Sequence, residues 1–371
     1  ADGARNPEQR RAVVGRLPGS ADRASLLLFA HPDGEPAADT SDWQREPFVG
    51  TLDGERFYGW GVADDLAGCA SAVLALERVA SAPGERGSVV FASTPSKRYA
   101  RGVAAVLHRG ERADAALYLH PAESGLGMGE IKALASGQLE FRITVRGRLP
   151  ETTEPGQTAF SHLAINPLDK AIVLRDALYA LAEARAECVR HPLIEAEVGR
   201  ATNLHISAVQ CGTMGNLSRL SETCKMGGAV SFPPGETFAE VQAEIEAALA
   251  KASAADPWLA EHPPELTWLT GVTGAELTTD HPLWRVASSA VERVTGRPPQ
   301  VNPMHTSSDI RNPPVEAGIP CVGLGCLGGN LSQNGRHDEW VDAADFVRMV
   351  EVTAQIAEGW CRRPKDTASP N

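Results

Sequence analysis

The first clear feature along the chain is an unbroken apolar run, Leu26-Leu27-Leu28-Phe29, within Ser25 to Ala30. A run without polar alternation predicts a strand buried on both faces, as in parallel sheets. Beyond it, Gly68 to Ala80 is rich in Ala and Leu and predicts a helix. Gly87 to Thr94 then predicts a second buried strand, Gly102 to His108 a short helix and Ala115 to Leu119 a third strand. Strands alternating in this way with helices predict an α/β fold built on a doubly wound, mostly parallel sheet.

The pattern changes near Gly137. From Gln138 to Gly147 the apolar residues Leu139, Phe141, Ile143 and Val145 alternate with polar ones, the period of a half-exposed antiparallel strand. A long amphipathic helix over Pro167 to Val189, strands over Leu204 to Val209 and Lys225 to Phe232, and a helix over Thr237 to Lys251 follow. Residues 135–252 therefore read as an inserted α+β domain, and 1–134 with 253–371 as the main one. In the latter, His281 to Thr295 predicts a helix, Pro320 to Gly325 a buried strand and Val341 to Trp360 a closing helix.

With 371 residues and 43% apolar content the chain has material for one large or two ordinary cores, which excludes disorder throughout. A net charge of −12, spread along the chain, argues against nucleic acid or an anionic membrane as the main partner and leaves a small polar or cationic metabolite compatible. The seven cysteines occur singly, without a C-x-x-C pair, which favours a reducing compartment. No apolar run reaches spanning length, so the expected location is cytoplasmic.

The chemistry-bearing residues fall at the ends of these elements. His31-Pro32-Asp33 follows the first strand, then come Trp43, Pro47-Phe48 and the turn Tyr58-Gly59-Trp60-Gly61-Val62-Ala63-Asp64-Asp65-Leu66-Ala67-Gly68. Later come Asn216, Thr306-Ser307-Ser308-Asp309-Ile310-Arg311, Gly318-Ile319-Pro320 and Asp338-Glu339-Trp340-Val341. In order and spacing these resemble the metal-dependent amidohydrolases and exopeptidases that include acetylornithine deacetylase, succinyl-diaminopimelate desuccinylase and glutamate carboxypeptidase. The resemblance implies that the insert is a lid and dimerisation domain. It also implies two zinc ions about 3.5 Å apart, sharing a carboxylate and a water that a Glu general base activates. His31 would be the first ligand, Asp33 the group orienting it and Asp64 the bridge.

The second half of that site departs from the pattern. Where the resemblance calls for a glutamate base followed by an acidic ligand, the chain has Ser96 and Lys97, and neither residue type can do the work. The next ligand, an acid before a proline, appears as His120-Pro121, which still offers a metal donor. The last histidine ligand falls on Gly335, two residues from His337. Glu151 replaces the insert histidine that would polarise the substrate, and Ser231 replaces an arginine that would hold its carboxylate.

The expected reading is a degenerate member with a broken dinuclear site, carrying out metal-independent acid–base chemistry on an amino-acid-derived intermediate. Elimination or ring closure onto nitrogen, with loss of an anionic leaving group, fits such a site. His31, Asp33, Asp64, Asp65 and Lys97 are its candidate catalytic residues. Ser96, Arg98, His120, Asn216, Gly328 and His337 are its candidate substrate contacts. No cofactor is expected. Two other readings stand beside it, a deacylase of N-acyl amino acids with one zinc on His31, Asp64 and His120, and an inactive ligand- or partner-binding protein. Lys97-Arg98 and Arg101 also read as a solvated helix start. Only 24 residues precede the first strand, where the resemblance calls for covering helices, so a dedicated partner chain or a homodimer is expected.

Overall fold

A computed structural model describes residues 11–34, 40–96, 102–121, 124–302, 309–328 and 337–365. The chain divides into two compact units, 1–135 with 275–371, and 136–274.

The first unit is built on a seven-stranded sheet, in the order Val13–Leu17, Val89–Ser93, Leu26–Ala30, Ala115–Leu119, Cys321–Leu324, Glu130–Lys132, Gln300–Asn302. Four of the six neighbouring pairs run parallel, and the pairings of Val13–Leu17 and of Gly323 with Lys132 are antiparallel. The apolar run at its centre is buried over its whole length because alternate side chains serve opposite faces. Leu26, Leu28 and Ala30 pack with Ala72, Ala75, Leu283, Val352 and Ile356, from helices Ala67–Ser81, Pro282–Thr295 and Ala343–Cys361. Leu27 and Phe29 turn the other way, toward Val103 and Leu107 of helix Gly102–His108 and toward Ile310 and Ile319. Helices on both faces make the sheet doubly wound, as predicted. The segment before Ser25 contributes no helix among its described residues and instead adds the edge strand Val13–Leu17. Strands Thr51–Asp53, Arg56–Tyr58 and Trp340–Asp342 form a small antiparallel sheet that ties the glycine-rich turn to the Asp338-Glu339 motif.

The second unit is an antiparallel sheet in the order Asn203–Cys211, Thr223–Phe232, Gly137–Arg146, Glu265–Val272, packed with helices Pro167–Cys188 and Phe238–Ala255. Leu139, Phe141, Ile143 and Val145 are all fully buried, as their alternation requires. Asn166 caps the first helix with Pro167 behind it, and Thr237 with Glu240 forms a capping box on the second. The expected boundary at 252/253 needs correction. The chain turns back after helix Pro257–Glu261, and Glu265–Val272 pairs with Gly137–Arg146, so the insert extends to residue 274. No described helix is long and apolar enough to cross a membrane, and all seven cysteines are free thiols.

Candidate functional site

Strand pairing fixes the site. Leu26 lies opposite Ala115 and Phe29 opposite Tyr118, so the same register places His31 and His120 side by side just beyond the carboxyl ends of two parallel strands. Crevices in open α/β sheets form at such ends. The two rings lie 5.7 Å apart, centre to centre, and both residues are buried.

Asp64 reaches them from the glycine-rich turn. Gly61 takes a left-handed conformation, φ 72°, and starts the turn Val62–Leu66, in which Asp64 and Asp65 have non-helical backbone angles, ahead of helix Ala67–Ser81. The Asp64–Asp65 peptide bond is cis. Glu339 clamps this turn, its carboxylate accepting the Gly61 N–H at 3.1 Å and the Ala63 N–H at 2.7 Å. Burial pushes the Glu339 carboxyl up to about 7 even though these bonds oppose the shift.

One Asp64 oxygen, Oδ1, lies 3.1 Å from His31 Nε2 and 3.2 Å from His120 Nε2. Burial alone would raise the Asp64 pKa, but the bonds from His120 and His31 outweigh it and hold the group far below the usual carboxylate range. For His31 burial opposes the charge, and the bonds with Asp33 and Asp64 outweigh that, leaving its pKa well above the ordinary imidazole value. His31 Nδ1 donates to the Asp33 backbone oxygen at 2.8 Å, with Asp33 Oδ1 at 3.5 Å. Asp33 Oδ1 in turn accepts the Ser96 N–H at 2.8 Å, and the Ser96 hydroxyl donates to buried Asp309.

Asp65 needs correction as an acid–base group. It is fully buried behind His31, and its Oδ2 accepts the His31 backbone N–H at 3.2 Å. Burial drives its pKa well up. Gly68 is obligatory beside it, because a Cβ there would lie 2.0 Å from the Leu119 carbonyl oxygen and 2.4 Å from Asp65 Oδ1. A group so enclosed supports the loop.

The remaining expected residues scatter. Gly328 allows close packing, since a Cβ would meet Ala63 and Pro121 at 3.1 Å. His337 is half exposed and stands 3.9 Å from Asp42, so it does not join the histidine pair. Asn216 sits in an exposed turn of the second unit and accepts a hydrogen bond from Ser218. Lys97, Arg98 and Gly335 lie outside the described residues.

Pattern reading missed Lys132. This lysine is fully buried on strand Glu130–Lys132, and its ammonium lies 3.1 Å from His120 Nδ1, 2.9 Å from the His120 carbonyl and 2.8 Å from the Pro121 carbonyl. Its signal was faint, two charges at alternate positions, Glu130 and Lys132, in the otherwise small and apolar stretch from Met128 to Ala135. Glu130 is buried as well, accepting from Asn302 at 2.7 Å and from Ser124.

Among the described residues, the donor atoms of His31, Asp64 and His120 all lie within 4.8 Å of one another and form a candidate metal site. The two separations from Asp64 approach the ~3.3 Å edge of a tetrahedron with zinc bonds of about 2.0 Å. The outer nitrogen of His31 also fits a ligand, because it donates to a carbonyl. The outer nitrogen of His120 lies 3.0 Å from the Pro121 carbonyl oxygen and 3.1 Å from Lys132 Nζ.

Solved structures share this architecture. The M20 family metallo-carboxypeptidase Sso-CP2 from Sulfolobus solfataricus matches with a TM-score of 0.74 at 14% identity, over 94% of this chain and 87% of the other. Aminopeptidase PepT from Bacillus cereus gives 0.68 at 17%, over 94% and 84%. The YXEP protein of Bacillus subtilis, a dinuclear metal binding peptidase, gives 0.62 at 18%, over 95% and 85%. At these identities the likeness establishes the fold. Residues 27–359 match the profile of Peptidase family M20/M25/M40, nearly the whole chain, and the chain belongs to that family.

Proposed function

We propose that this chain is a family member with a degenerate site that acts without a resident metal, by acid–base chemistry on a small amino-acid-derived substrate. The observation that carries the proposal is the arrangement of Ser96. Its N–H is held by Asp33 and its hydroxyl is committed to Asp309, so the position that the resemblance assigns to the general base holds no base. The sequence supports the same reading by placing Lys97 where an acidic ligand is expected.

Asp64 is kept ionised by the two imidazoles, and Asp33, partly exposed on the Nδ1 side of His31, suits both a substrate ammonium group and the acceptor of its proton. As the amine gives its proton to Asp33, its lone pair forms a bond to a carbon within the same substrate. The carbon–oxygen bond to a sulfate or phosphate group then breaks, and the anion leaves with the electron pair. His31, positively charged in this setting, offers favourable charge to that anion.

The test is incubation of purified protein with amino alcohol sulfates and phosphates of amino-acid origin, following release of the inorganic anion with and without chelator. Chelator-resistant release, together with inertness toward N-acyl amino acids, is the expected result. Zinc-dependent hydrolysis of an N-acyl amino acid, abolished in His31→Ala, would overturn it. The second reading, a deacylase with one zinc, is favoured by the closeness of the three donor atoms, and one tightly held zinc per chain would establish it.

A further inference from the structure

We propose that Lys132 is a positioning residue that keeps the His120 ring proton on Nε2 and so holds the His31, Asp64 and His120 cluster in a form that does not accept zinc. This rests on the metal-independent reading above and names the residue responsible for it.

The argument is one of donors and acceptors. An ammonium carries only donors, and Lys132 Nζ is set among the His120 and Pro121 carbonyl oxygens and His120 Nδ1 at 2.8 to 3.1 Å. For that third contact to be a bond, Nδ1 must present its lone pair. The competing arrangement puts a proton on Nδ1 and directs it at the Pro121 oxygen, 3.0 Å away. It would place an N–H against the ammonium, donor facing donor, and would have to share an acceptor that Lys132 already uses at 2.8 Å. The neutral ring therefore carries its proton on Nε2, where Asp64 Oδ1 accepts it at 3.2 Å. A histidine in this form has no lone pair for a metal at Nε2.

The fold builds this contact deliberately into its core. Lys132 lies beside Gly323 on the neighbouring strand, where a Cβ would meet Ile310 Cγ2 at 2.9 Å and the lysine Cβ at 3.3 Å. Lys132 is fully buried there, with its Nζ set on two carbonyl oxygens.

The experiment combines histidine ring 15N spectroscopy with zinc binding by equilibrium dialysis, on wild type and Lys132→Met. Wild type should show His120 as the Nε2–H tautomer and bind zinc weakly. Lys132→Met should move the proton to Nδ1, facing Pro121, and tighten zinc binding at least tenfold. If Lys132→Met does not fold, the wild-type spectrum decides, since an Nδ1–H tautomer there overturns the proposal. Wild type and variant binding zinc equally weakly would remove the role of Lys132 and leave the metal-independent reading standing. Tight zinc binding by wild type would remove both.

Discussion

Glu339 holds Ala63 by its backbone N–H at 2.7 Å, and through it the turn that delivers Asp64 to the histidine pair. The two residues are 276 positions apart in the chain, so the closing motif is a clamp on the first motif. Glu339→Ala strands two buried N–H groups and should cost about 3 kcal/mol of stability. Glu339→Gln, which keeps an acceptor, should cost about 1 kcal/mol. Chemical denaturation of the two variants measures both, and equal stability of Glu339→Ala and wild type would remove the clamp.

The raised Glu339 pKa also has a pH signature. The folded state holds this proton up to about pH 7, whereas the unfolded carboxyl loses it near its ordinary value of 4.5. Stability should therefore fall as pH rises from about 4.5 to 7, by roughly 3 kcal/mol from this group. Glu339→Gln should flatten that part of the pH profile, and an unchanged slope would argue against a buried proton here.

His31 and Asp64 give the opposite limits. The raised His31 pKa contributes stability that is complete below about pH 6.5 and is lost as pH climbs through its folded value. The lowered Asp64 pKa contributes stability complete above about pH 3.9 and lost as pH falls toward its folded value. Both contributions are whole only between those limits. NMR titration of the His31 ring should show Asp64→Asn lowering its pKa; an unmoved titration would mean that the pair does not form in solution.

Asp65→Asn tests the enclosed carboxyl. Because burial favours its neutral form, the amide should preserve the fold and the acceptor for the His31 N–H, and stabilise the protein by about 1 kcal/mol or more at pH 8. A melting temperature lower than that of wild type at pH 8 would show that the ionised form is needed.

Gly68→Ala forces a methyl group into the Leu119 carbonyl and the Asp65 carboxylate. Overpacking of this kind costs about 1–3 kcal/mol and should shift Asp65, and with it the His31 backbone. Calorimetry would measure the loss, and a neutral effect would mean that the helix start has slack.

Much of this was legible in the sequence for a physical reason. His31 and His120 follow strands whose unbroken apolar runs leave no other assignment, and Asp64 stands in a glycine-rich turn before an Ala-rich helix. Lys132 was not legible, because a buried charge contradicts the hydrophobic pattern and only its acceptors explain it. Strand Val13–Leu17 escaped because an edge strand, largely exposed, carries little alternation. Strand Glu265–Val272 escaped because its half-buried residues, Thr267 and Trp268 among them, mask a period of two. The three-residue strands around Tyr58 and Trp340 are too short to show a period at all.

The register that sets Leu26 against Ala115 also acts as a ruler. Each histidine follows its strand by one residue, so the spacing of the two rings is inherited from backbone hydrogen bonds and owes nothing to loop length. Deleting one residue from Ala115–Leu119 would turn the His120 ring to the opposite side of the sheet. Loop insertions elsewhere would leave the pair where it is. New chemistry at these stations needs only an exchange of side chains, which makes the pair a fixed chassis for redesign.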